Sequence, residues 1–124
     1  MKRILIIEDE KPLRDAFAFL LKSEGYRVAF AENGKVALVK LETFKPDLLL
    51  LDMLMPIMDG MTFLREANLP ATHPHAKTLL LSNLSDAITF DDAHLYGVTD
   101  SLLKADLSPE QLAAVVKKML TEHA

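Results

Sequence analysis

A chain of 124 residues, half of them hydrophobic, has the size of one domain and can bury a core without staples. It has no cysteine, which excludes disulfides, thiolate zinc sites, iron–sulfur clusters and a Cys nucleophile. A net charge of −4 with no Lys/Arg block argues against a nucleic-acid-binding face. The apolar runs at 4–7 and 48–51 are far too short to span a bilayer, and no secretory h-region follows Met1-Lys2-Arg3, so the expected location is the cytoplasm.

Short apolar runs alternate with helical periodicity. The run 4–7, stopped by Glu8-Asp9-Glu10, reads as a buried strand. Lys11-Pro12 opens a helix, because proline near the first position loses no hydrogen bond there. Leu13, Phe17, Leu20 and Leu21 continue it and Gly25 closes it. Residues 26–31 read as the second strand. Asn33 then caps a helix through Val36, Ala37, Val39, Lys40 and Leu41, which Pro46 ends. The run 48–51, between Pro46-Asp47 and Asp52, is short enough to be a strand buried on both faces.

Pro56 and Gly60 bracket a loop before a short helix at 61–67, with Asp59-Gly60 as its turn. Residues 68–77, with two prolines and two histidines, read as loop, and 78–81 as the fourth strand. Residues 85–96 form a weak helix, since Thr89, Asp91 and Asp92 are poor helix formers. Gly97 closes it, and 98–103 is a strand with a polar interruption. Ser108-Pro109-Glu110-Gln111 is a capping-box pattern opening a last helix through Leu112, Val115, Val116 and Met119, ending a few residues before Ala124. Five β–α alternations with continuous apolar strands imply a doubly wound α/β fold, a parallel sheet with helices on both faces, as a single domain over 1–124.

The four glycines, at 25, 34, 60 and 97, cannot make a dinucleotide or P-loop motif, and the common zinc- and serine-hydrolase motifs are missing. What remains is a polar group at most strand ends, where open α/β sheets bind ligands: Glu8-Asp9, Asp52, Ser82 and Lys104. If those strands are neighbours, three carboxylates, a hydroxyl and an ammonium converge. Two like charges ~5 Å apart cost about 3 kcal/mol at an effective dielectric of ~20. A hard cation removes that cost, and magnesium suits one or two carboxylates with waters and phosphate oxygens. A carboxylate beside it can attack phosphorus, while Lys104 and Ser82 hold phosphoryl oxygens. Each residue alone could be a solvated acid, a turn, a cap or a surface charge. Their joint placement favours a phosphoryl-transfer site.

At these residues the chain resembles the receiver domain of two-component response regulators, chemotaxis receivers among them. The stretches that carry the likeness are 4–10 (ILIIEDE), 47–60 (DLLLLDMLMPIMDG) and 97–104 (GVTDSLLK). The resemblance implies a flavodoxin-like five-stranded parallel sheet of order 2-1-3-4-5. It implies Asp52 as phosphoacceptor, with magnesium held by Glu8, Asp9, Asp52 and the Leu54 main-chain carbonyl. Ser82 and Lys104 contact the phosphoryl group. The implied donor is a sensor histidine kinase or phosphotransfer protein. The implied readout is a downstream protein or output domain, with a second copy of the chain as a further candidate partner. The domain would be a signalling phosphoacceptor that catalyses only its own phosphorylation and dephosphorylation.

Three positions depart from the family pattern. Asn83 replaces a small residue after the hydroxyl. Ser101 replaces the switch aromatic, and Tyr96 is not expected to substitute for it. Ala105 replaces the proline after the lysine. A cis non-proline bond costs ~2.5–4 kcal/mol, so Lys104–Ala105 is expected to be trans, and the readout weak or routed through the fourth helix. Two rival readings remain. A non-phosphorylated interaction module draws on Ser101 and Ala105. A magnesium-dependent aspartate-nucleophile phosphohydrolase lacks its general acid, since that position is Leu54. The sequence holds no output domain, leaving a stand-alone protein or the receiver of a longer regulator.

His73 and His75 read as surface loop residues, not metal ligands. Met53, Met55, Met58 and Met61 read as core filling rather than a docking surface, and Phe17, Phe19 and Phe30 as core or helix-packing residues. Asp86, Asp91 and Asp92 read as a solvated acidic face.

Overall fold

The computed structural model describes residues 1–53, 55–82, 93–104 and 107–121. In chain order these form β1 (Arg3–Ile7), α1 (Lys11–Ser23), β2 (Arg27–Ala31), α2 (Gly34–Phe44), β3 (Leu48–Asp52), α3 (Gly60–Ala67), the short α4 (Leu69–Thr72), β4 (Lys77–Ser82), β5 (Val98–Leu103) and α5 (Pro109–Thr121). The strands pair in parallel in the order β2-β1-β3-β4-β5, the expected 2-1-3-4-5 sheet.

The unbroken apolar runs are explained by burial on both faces. Along each strand, alternate side chains point to opposite sides. Ile4, Ile6, Leu48, Leu50, Leu79 and Leu81 pack with Phe17 and Leu21 of α1 and Leu112, Val116 and Met119 of α5. Leu5, Ile7, Leu49, Leu51 and Leu80 pack with Ala37 and Leu41 of α2 and Phe63 and Leu64 of α3. Met53 and Met61 are buried in this second layer and Met55 and Met58 pack against it, so the methionines fill core as expected.

Helix starts follow the sequence signals. Asn33 Oδ1 accepts from the Val36 N–H at 2.9 Å, Asp59 Oδ1 from Thr62 N–H at 2.8 Å, and Ser108 Oγ from Gln111 N–H at 3.1 Å. Gly60 is fixed by close approach. Its N–H donates to the Met53 carbonyl at 2.9 Å, and a Cβ there would meet the Met53 Cα at 2.9 Å. That contact folds the loop after Asp52 back on itself.

Residues 68–77 are not all loop. Pro70 sits at the start of the one-turn α4, where it loses no helical hydrogen bond, and the Thr72 hydroxyl donates back to the Ala67 carbonyl at 2.9 Å. Phe19 is not a packing residue but is 78% exposed. It lies two positions from Phe17, about 200° around α1, so both cannot face the core. Phe30 is 44% exposed because β2 is an edge strand. Of the expected helix at 85–96, residues 85–92 lie outside the described residues, while Ala93 and His94 are helical.

Thr78 is wholly buried and its Oγ1 has no hydrogen-bond partner among the described residues, although its N–H donates to Thr99 Oγ1 at 3.2 Å. A buried hydroxyl without a partner is a net cost. Thr78→Val, which keeps the shape, should therefore raise stability by about 1 kcal/mol in urea unfolding. A loss of similar size would show that the hydroxyl is bonded.

Candidate functional site at the carboxyl edge of the sheet

The strands that build the core also build the site. Asp52 ends β3, Glu8 follows directly on β1, and Lys104 follows directly on β5. Because β1 and β3 are adjacent and parallel, their ends bring Glu8 and Asp52 together. Carboxylate oxygens of Glu8, Asp9 and Asp52 lie within 4.8 Å of one another, the only such cluster of possible metal ligands among the described residues.

Lys104 reaches into the cluster from beyond β5. Its Nζ lies 3.1 Å from Asp52 Oδ2 and 3.2 Å from Glu8 Oε1. Glu8 is 1% exposed and Asp52 3% exposed, so these ion pairs are largely withdrawn from water. Three carboxylates against one ammonium still leave excess negative charge. Burial, and then the Asp52 carboxylate, push the Glu8 carboxyl up from its ordinary 4.5 to about 7 against the pull of Lys104. Burial pulls the Lys104 ammonium down, but Asp52 and Glu8 outweigh it and hold its pKa above the usual lysine value.

The fold thus gathers four of the sequence-derived site residues, Glu8, Asp9, Asp52 and Lys104. Ser82 ends β4, one residue past Leu81, the register partner of Asp52. The Leu54 carbonyl, Asn83 and the Lys104–Ala105 bond lie outside the described residues. Ser101 sits in β5 opposite Leu80, and its N–H donates to Asp100 Oδ1 at 2.8 Å. Tyr96 packs against the α2–α3 core layer. His73 and His75 follow α4 and precede β4, away from the acidic cluster's strand ends.

Two residues were not singled out from the sequence. Glu10 brings a third carboxylate to Lys104, Oε1 to Nζ 3.8 Å. A run of three acids gives no sign of which of them reach a cation. Arg14 is buried beside Glu8, with Nη1 donating to the Glu8 carbonyl at 3.3 Å. Here a signal existed. Positions 14, 17 and 21 share one face of α1, so Arg14 is a charge on an otherwise apolar stripe.

The response regulator receiver domain model matches residues 4–117. The chain belongs to this family. Solved structures agree. A CheY-like receiver domain protein from Methanospirillum hungatei is 27% identical, with a TM-score of 0.87, covering 97% of this chain and 94% of that one. A signal receiver domain from Bermanella marisrubri is 29% identical, with a TM-score of 0.84, covering 96% and 98%. The response regulator TrrA from Thermotoga maritima, solved in complex with Mg²⁺ and BeF, is 31% identical, with a TM-score of 0.80, covering 96% and 99%. Receivers are signalling domains of two-component systems, and this receiver carries the acidic pocket at its sheet edge. No helix among the described residues is long and apolar enough to cross a membrane.

The receiver's residues fit a divalent cation. Glu8 Oε2 is buried and has no hydrogen-bond partner among the described residues, an acceptor left over in a pocket already over-supplied with negative charge. Hard oxygen donors are what magnesium takes.

Proposed function

We propose that this receiver, as a single domain over 1–124, accepts a phosphoryl group on Asp52 with magnesium bound, and that the modification controls its contacts with a protein partner. The observation that carries this reading is the approach of Lys104 Nζ to Asp52 Oδ2 at 3.1 Å within a cluster of three carboxylates. Glu8, Asp9 and Asp52 would hold the cation, together with the Leu54 carbonyl. Bound there, magnesium supplies positive charge that offsets the carboxylates and the incoming phosphoryl oxygens.

An Asp52 carboxylate oxygen forms the new bond to phosphorus as the phosphorus–nitrogen bond of a phosphohistidine breaks. The electron pair leaves with the donor imidazole. Lys104, already on Asp52, moves its ammonium to a phosphoryl oxygen as negative charge gathers there, and the Ser82 hydroxyl donates to another. The donor would be a sensor histidine kinase or phosphotransfer protein and the readout a downstream protein or output domain, all in the cytoplasm. A second copy of the chain is a further candidate partner. In a longer relative, NtrX from Brucella abortus, the matched region is 27% of the chain. Ser101 in place of the switch aromatic makes the readout weaker than in most relatives, or routes it through the segment before Gly97.

The test is intact mass after incubation with acetyl phosphate. The wild type should gain one phosphoryl group with magnesium and none with excess EDTA. No gain in either condition, with magnesium binding checked separately, would overturn the reading in favour of a non-phosphorylated interaction module.

A further inference from the structure

Arg14 is a buried cation that the chemistry above does not use. It is 8% exposed, and among the described residues no carboxylate lies within ion-pair distance of it, its charge acting only weakly on the exposed Asp15. Its Nε is buried and has no hydrogen-bond partner among the described residues. Burying a guanidinium this way is costly, and an apolar residue would complete the Phe17 and Leu21 face of α1 without that cost. Two contacts compensate. The guanidinium carbon lies 4.5 Å from the centroid of the Phe30 ring, and Nη1 donates to the Glu8 carbonyl at 3.3 Å. Phe30 is itself held, since the Lys40 ammonium donates to its carbonyl and lies 5.0 Å from the same ring.

These contacts converge on one residue, Glu8. The Glu8 N–H donates to the Ala31 carbonyl at 3.0 Å, its carbonyl accepts from Arg14, and its Oε1 accepts from the Glu10 N–H at 3.3 Å. The Glu8 carbonyl belongs to the planar Glu8–Asp9 peptide. Fixing that oxygen fixes the plane from which the Asp9 side chain departs. We infer that Arg14, clamped between the Phe30 ring and the Glu8 carbonyl, is a positioning residue that sets the Glu8–Asp9 pair for the cation. This rests on the reading of Glu8, Asp9 and Asp52 as the magnesium site. The strand end of β2 thereby becomes part of the site without touching it.

The test is magnesium affinity by calorimetry, at a temperature well below the unfolding midpoint of each variant. Arg14→Met keeps the stem and removes the fork, and should weaken affinity about tenfold, as for other residues that hold metal ligands in place. Phe30→Leu leaves Arg14 intact but removes its platform, and should weaken affinity about threefold. The double variant should be no weaker than Arg14→Met alone, because both changes release the same peptide. A purely structural arginine would lower the unfolding midpoint and leave affinity unchanged, and that result in either variant overturns the inference. If Arg14→Met does not fold, Phe30→Leu decides, its ring being half exposed. A wild type that binds no magnesium overturns the phosphoacceptor reading itself. A wild type that binds, with Phe30→Leu and Arg14→Met binding equally well, overturns the role of Arg14 alone.

Discussion

Asp52→Ala is expected to gain no phosphoryl group from acetyl phosphate and magnesium under conditions where the wild type gains one. The other acids do not replace it. Glu8 is buried with one oxygen on Lys104 and the Glu10 N–H, and in the proposed site it is committed with Asp9 to the cation. The loss is not expected to come from unfolding. Without Asp52, the like-charge repulsion on Glu8 falls, and Lys104 keeps its 3.2 Å pair with Glu8. Stability of the metal-free protein should therefore stay within about 1 kcal/mol of wild type. Intact mass and urea unfolding, measured on the same preparation, separate the two effects. Phosphoryl uptake by the folded variant would place the acceptor elsewhere in the chain.

Lys104→Met should destabilise the metal-free protein by about 3 kcal/mol at pH 8 and by less than about 1 kcal/mol at pH 5. The reason is the state of Glu8. Its carboxyl is near 7 in the folded chain and at its ordinary 4.5 in the unfolded one, so folding takes up a proton between those values. The stability this group contributes is whole below about 4.5 and is lost as pH rises through about 7. Without Lys104 the folded value rises further, so at pH 8 folding must either hold a proton on Glu8 or bury its charge beside Asp52 without the ammonium, and both cost stability. At pH 5, below that value, Glu8 holds its proton in the folded chain, so there is little charge on it for Lys104 to offset. Urea unfolding at the two pH values is the measurement. Equal losses at both would mean that Lys104 acts through the packing of its stem and not through its charge. At pH 8, saturating magnesium should recover most of the loss, since a ligand that binds only the folded acids stabilises them.

Much of this was legible in the chain. The run at 48–51 could only be a strand buried on both faces if a parallel sheet lay around it, and β3 is buried along its whole length. Asn33 and Ser108 mark helix starts through side-chain geometry that depends on three or four residues, so local sequence suffices, and Asp59, read only as part of a turn, caps α3 in the same way. Glu8, Asp9, Asp52 and Lys104 were legible for a different reason. Each ends or follows a strand, and parallel strands end at a common edge.

Where local reading failed, the deciding partner was distant in sequence. Phe19 and Phe17 have the same composition and differ only in their angle around α1, whose inward direction is set by the sheet. Phe30 is half exposed because, among the described residues, no strand pairs with the outer edge of β2, a fact of strand order. Arg14 is legible as an anomaly on an apolar stripe, but its meaning depends on Phe30, 16 residues away, and on the Glu8 carbonyl. The sequence by itself determined the strands, the caps and the inventory of acids and cations, because periodicity and capping act over a few residues. Only the tertiary structure decided the charge state and the clamp. It closes Lys104 onto Glu8 across 96 positions, and it removes Glu8 and Asp52 from water, which is what turns ordinary carboxyls into a strained pair.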